Sequence, residues 1–88
     1  MTHYSYGSGM AGCLYDFGPH FAETLAAARE QLEWLFDDYF SERPEELSRF
    51  RTAFGEAGGV FYFEHPAEAG AQIAEVVRHP GPMPEEES

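Results

Sequence analysis

Seven apolar residues between Pro19 and Phe40 recur at helical spacing, and this run limits the possible folds more than any other feature. Phe21, Leu25, Ala28, Leu32, Leu35, Phe36 and Tyr39 follow one another at steps of four, three, four, three, one and three. At ~100° per residue they form a single stripe, so the spacing predicts one long amphipathic helix from about Pro19 to Phe40. Ala26, Ala27 and Ala28 add helix propensity. Gly18-Pro19 marks the expected start, because a proline in the first helical turn lacks only an N–H that would have no partner there. Ser41 to Pro44 ends the run. A second, shorter helix is expected from Pro44 to Phe54, with Leu47, Phe50 and Phe54 on one face and Gly55 as its stop.

A stripe of this kind needs a surface to cover, and the flanking segments supply strand signals. Val60-Phe61-Tyr62-Phe63 is a β-branched and aromatic run that reads as a buried strand. Such a strand needs a partner. Residues 66–79 allow either a helix opening at Pro66 or a strand over 72–78, and the need for a partner favours the strand. At the other end, His3 to Tyr6 and Gly12 to Tyr15 each suit a short strand, with Gly7, Gly9 and Gly12 permitting an irregular link. The expected fold class is α+β: a long amphipathic helix and a short second helix packed on a small antiparallel sheet. At 88 residues there is room for one core. Residues 1–79 are read as a single domain, and Pro80 to Ser88, rich in Pro and Glu, as a flexible tail.

Charge limits what the domain can bind. Sixteen Asp and Glu face five Arg and no Lys, giving a net charge of -11. DNA, RNA and anionic membrane surfaces repel such a chain, whereas a basic protein attracts it. On a helical wheel Glu23, Glu30 and Asp37 lie opposite the apolar stripe, with Glu33 and Asp38 in the same acidic run. Trp34, the only tryptophan, falls among them, roughly 140° from the stripe centre. From Glu23 to Glu46 there are eight acids against Arg29 and Arg43, a local balance of -6. A tryptophan ringed by carboxylates has the chemistry of a binding hot spot: the indole offers contact area and the acids steer a basic surface. Glu23, Glu30, Glu33, Trp34, Asp37 and Asp38 are therefore the candidate partner-binding residues. Burial of Trp34 under a neighbouring segment is the competing reading.

Catalytic and cofactor signals are weak. Gly7-Ser8-Gly9-Met10-Ala11-Gly12 has the letters of GxGxxG, but the dinucleotide-binding use of that pattern needs a helix opening at the glycines within a complete βαβ unit. Cys13-Leu14-Tyr15 does not start a helix, and the charge opposes a pyrophosphate. His3, Cys13, Asp16, His20, His65 and His79 are possible metal ligands without a recognised spacing. No cofactor, metal or catalytic residue is expected, and the chain is read as a non-enzyme. One cysteine permits no intrachain disulfide, which suits the cytoplasm of a bacterial host. There is neither a signal-peptide pattern nor a stretch of ~20 apolar residues.

The stretch from Tyr6 to Pro19, continuing into Phe21-Ala22-Glu23-Thr24, resembles the start of short uncharacterised phage and prophage proteins. The small size, acidity and lack of a catalytic motif also resemble the profile of anti-CRISPR proteins, several of which occupy basic nucleic-acid channels. That resemblance implies an inhibitor whose partner is a basic nucleic-acid-binding protein or complex, such as a CRISPR effector, acting by nucleic-acid mimicry or steric block. A phage accessory protein that self-associates, as a homodimer for instance, and a small metal-binding regulator are the alternatives.

Overall fold

The glycine-rich start of the chain forms one long β-hairpin. In the computed structural model, which describes residues 1–12, 14–64 and 70–84, β1 (Thr2–Met10) pairs antiparallel with β2 (Tyr15–Ala22). Gly12, at φ 85°, lies in the turn between them, where a side chain would be strained. Gly7 and Gly9 are not links but lie inside β1, where they permit close approach. A Cβ on Gly7 would sit 2.7 Å from the Tyr15 ring, and one on Gly9 would sit 2.9 Å from the Leu14 carbonyl oxygen. Register runs from Tyr6↔His20 to Ser8↔Phe17, so one residue of β1 faces two of β2 in a bulge at Gly18-Pro19.

Pro19 to Ala22 is therefore strand, and the expected helix start is corrected. A proline is tolerated equally at a helix start and on a sheet edge, and β2 is an edge strand. Pairing of Phe21 with Ser5 and of Ala22 with Tyr4 decides between the two.

Helix begins at Leu25 instead, and the single long helix is also corrected. The chain forms α1 (Leu25–Leu35), α2 (Asp37–Glu42) and α3 (Pro44–Thr52), so the longest helix spans 11 residues. Thr24 caps α1, its Oγ1 accepting from the Ala27 N–H at 3.1 Å. Phe36 leaves helical geometry, at φ -109° and ψ 28°, and separates α1 from α2. In a straight helix Phe40 would lie ~80° from Leu32, at the margin of the stripe. The break brings both Tyr39 and Phe40 into the core. Phe36 and Tyr39 meet Phe63 at 4.8 and 5.0 Å between ring centroids, and Phe40 meets Phe50 at 4.9 Å. α3 starts at Pro44 as expected but stops before Phe54, because Phe54 is claimed by the short strand β3 (Phe54–Gly55), opposite Gly59.

The remaining strands complete an antiparallel sheet. β4 (Gly58–Phe63) pairs with β5 (Gln72–Pro80), so the strand reading holds for 72–78; Pro66 to Ala69 lie outside the described residues. Among the described residues the order is β2-β1-β5-β4-β3, with β5 central. Alternation along the strands sends Tyr4, Phe61, Phe63, Ala74 and Val76 to the face beneath the helices, where they meet Ala28, Leu32 and Phe50. Edge-to-face rings are the favoured geometry in this core. Phe50 meets Phe54 at 5.0 Å and Phe61 at 5.4 Å in that arrangement. On the opposite face Val60, Ile73, Val77 and Tyr62 point away from the helices, and Tyr62 is 64% exposed. The fold is thus α+β in two layers.

Gly81 follows β5, its N–H donating to the Met1 carbonyl at 2.8 Å and its own carbonyl lying 3.0 Å from His3 Nδ1. Glu85 to Ser88 of the expected tail lie outside the described residues.

Candidate functional site

The six acidic-face residues fall into four local settings. Glu23 precedes the Thr24 cap, so it is exposed on the approach to α1 rather than on a helix. Glu30 and Trp34 are one turn apart on the outer side of α1, opposite buried Ala28 and Leu32. Trp34 is 75% exposed. Asp37 and Asp38 lie beyond the Phe36 break, in the first turn of α2, and both are exposed. Carboxylates there also complement the N-terminal end of the helix dipole. The break divides the acidic stripe into two facets.

Glu33 is held by α3. Arg51 donates to it through Nε at 2.8 Å and Nη2 at 3.0 Å. Such a two-point pair between helices fixes geometry as well as charge. The hydrogen bond from Arg51 holds the Glu33 carboxyl below its ordinary range; the charges of Arg51 and Arg29 act the same way, against partial burial. Glu33 therefore ties α1 to α3 and is the least available of the six to a partner. Arg49 pairs with Glu46, and Arg43 lies 3.5 Å from Glu42 while its guanidinium covers the Tyr39 ring at 4.8 Å. The linear balance of -6 stopped at Glu46 and missed Arg49 and Arg51, which the fold returns to the same layer. Glu30 and Asp37 make no ion pair or hydrogen bond among the described residues. They and Trp34 are the part of the candidate site left open to a partner.

Among the described residues, the glycine motif and the possible metal ligands do not converge into a site. Gly7 and Gly9 sit in a strand followed by another strand, so no helix N-terminus faces them. Among the described residues no three of His, Cys, Asp and Glu gather around a common point; Cys13 and His65 lie outside that set. His3 stacks on His79 at 5.0 Å, and His79 Nε2 is 2.8 Å from Ser5 Oγ. His20 packs edge-on to Phe17 at 4.8 Å. No helix among the described residues is long and apolar enough to cross a membrane.

Sequence reasoning missed a cleft of about 260 Å³ where the α1–α2 junction overhangs β1 and β2. It draws Ser8 and Gln72 from the sheet, Phe17 and Asp16 from β2, and Leu35, Phe36 and Asp38 from the helices. One signal was present: Gln72 precedes Ala74 and Val76 at strand spacing, which puts an amide on the core-facing row. No protein-family model matches the chain, and no curated protein or solved structure is significantly similar to it.

Proposed function

We propose that this chain is a binding protein, not an enzyme, and that its outer helical layer docks on the Lys/Arg-lined nucleic-acid site of a target and competes there with phosphates. The observation that carries this reading is Trp34, 75% exposed on α1, with Glu30 one turn away and Asp37 across the break. A large aromatic left in solvent among unpaired acids supplies contact area, and the acids supply long-range steering. The net charge of -11 extends that attraction beyond the contact itself. An inhibitor of a CRISPR effector complex, encoded by a phage and acting in a bacterial cytoplasm, is the most concrete form of the proposal.

The test is competition. A partner retained by the immobilised chain should be released by single-stranded nucleic acid and by moderate salt. Reversal of Glu30 and Asp37 to Lys should abolish retention, and Trp34→Ala should weaken it about tenfold or more. Retention that ignores salt, or survives the double reversal, refutes the proposal.

Self-association is a second reading, supported by Tyr62, 64% exposed on the sheet face turned away from the helices. Light scattering on a Tyr62→Asp variant separates the two: a dimer lost on that substitution favours self-association, and an unchanged monomer removes it.

A further inference from the structure

The cleft under the α1–α2 junction is floored by a buried polar residue whose side chain has no hydrogen-bond partner among the described residues. Gln72 is 5% exposed and lines the cleft floor, and its side-chain amide makes no hydrogen bond among the described residues. Its amide oxygen and nitrogen are not sealed from solvent but open to the cleft, where they are available to hydrogen-bond a ligand group. Beside it, the Ser8 hydroxyl donates to the Ile73 carbonyl at 2.7 Å. That bond uses its only proton and leaves its oxygen as an acceptor. Asp16 and Asp38 add two carboxylates at the rim. Phe17, Leu35 and Phe36 form apolar walls.

The cleft therefore offers more acceptors than donors, with the Gln72 NH2 as the donor among its lining side chains, and its walls are largely apolar and aromatic. A ligand that fits must bring several N–H donors, positive charge and an apolar stem. A guanidinium meets all three needs: five donors in a planar fork, weak hydration, and a flat face that stacks on rings. An ammonium is more strongly hydrated and gains less from such walls. The cleft volume is about 260 Å³. That is below the ~300–1,000 Å³ of typical small-molecule sites and suits a single side chain.

We propose that this cleft receives one arginine side chain of the basic partner. This rests on the docking reading above and adds a fixed anchor point to it, since a seated arginine sets orientation as charge steering does not.

The probe is N-acetylargininamide, titrated into the labelled full chain and followed by amide resonances. Shifts should appear at Ser8, Phe17, Phe36 and the Gln72 side-chain NH2, with a millimolar dissociation constant that weakens with salt. The neutral citrulline analogue should be silent, and N-acetyl-lysinamide weaker. Asp16→Asn, an exposed change that leaves the core intact, should weaken binding about tenfold through loss of a charge-assisted hydrogen bond. Glu56→Gln, outside both the cleft and the docking residues, should leave it unchanged. Equal response to citrulline, shifts located elsewhere, or silence at saturating probe overturns the proposal. Tighter binding of free arginine than of the blocked amide also overturns it, in favour of a metabolite site. If the amide seats in the cleft but no basic protein is retained, the docking reading fails and the arginine pocket stands. If a basic protein is retained but the cleft stays silent, only the pocket fails.

Discussion

Replacing Trp34 by alanine should barely change stability, whereas the same truncation of Phe50 should nearly unfold the domain. Trp34 is 75% exposed. About a quarter of its side chain, on the order of 60 Å², is therefore covered. At ~25 cal/mol per Å² that is worth about 1.5 kcal/mol, an upper value because the unfolded chain already shields some of the area. Alanine regains about 0.5 kcal/mol through helix propensity, leaving a loss of about 1 kcal/mol or less. Phe50 is 0% exposed and touches Phe40, Phe54 and Phe61. Its truncation removes the whole ring and leaves a cavity, at about 3–5 kcal/mol. In a domain of this size, about 1 kcal/mol moves Tm by about 4–8 °C. Thermal melts by circular dichroism should therefore show a fall of about 20 °C for Phe50→Ala and less than about 8 °C for Trp34→Ala. If Phe50→Ala does not fold, Phe50→Leu should show the same ordering in milder form. The wild-type fluorescence comes from one tryptophan, and should be that of a solvated indole, open to a neutral quencher. A fall of about 15 °C for Trp34→Ala, or a quench-protected indole, would refute the assignment of Trp34 to the open surface and with it the carrying observation for docking.

Three further outcomes follow from local geometry. Glu33 has its carboxyl lowered by the Arg51 hydrogen bond, so its stabilising contribution is present above its ordinary value of 4.5 and disappears as pH falls through the lowered folded value. The stability gap between wild type and Glu33→Gln, measured by urea denaturation, should be constant above the ordinary value of 4.5 and close as pH falls through the lowered folded value. A Cβ on Gly59 would lie 2.1 Å from the Ala53 carbonyl oxygen, whereas one on Gly55 would meet nothing within 4 Å. Gly59→Ala should therefore lower the urea midpoint by the equivalent of about 2 kcal/mol or more, and Gly55→Ala should change it little. Thr24→Ala should cost about 1 kcal/mol by removing the α1 cap, with faster hydrogen exchange at the Ala27 amide as its local signature.

Where local chemistry and tertiary pairing agreed, the sequence was readable. Val60 to Phe63 is strand, Pro44 opens a helix, and Ile73 to Val77 pairs beside β4, the last of these inferred from a strand's need for a partner. The errors arose where two physical states share one signal. Phe21 continues a helical step pattern into Leu25, yet it also alternates with His20 and Ala22, and only its pairing with Ser5 chose the strand. Phe36 breaks a helix without a proline or glycine to announce it, and the ring it meets there is Phe63, far along the chain. Trp34 and Glu30 were legible because outward positions on a helix follow from period alone. Arg51 against Glu33 was not, since helix-to-helix placement is tertiary. The cleft was least legible of all: its lining comes from strands and helices that no local pattern brings together.

Because the central strand is β5, the middle of the sheet is the last of the described strands to be made. Until Gln72 to Pro80 is available, β1 has only β2 beside it and β4 only β3, two separate ribbons too small to be stable alone. Joining them closes a loop of nearly the whole chain, as the pairing of His3 with His79 records. Such long-range closure places the entropic barrier late and slows folding relative to helical domains of similar length. Insertion of β5 is then a single zipping event that completes the sheet, and in this order of events the roof and floor of the Gln72 cleft come together only at the final step.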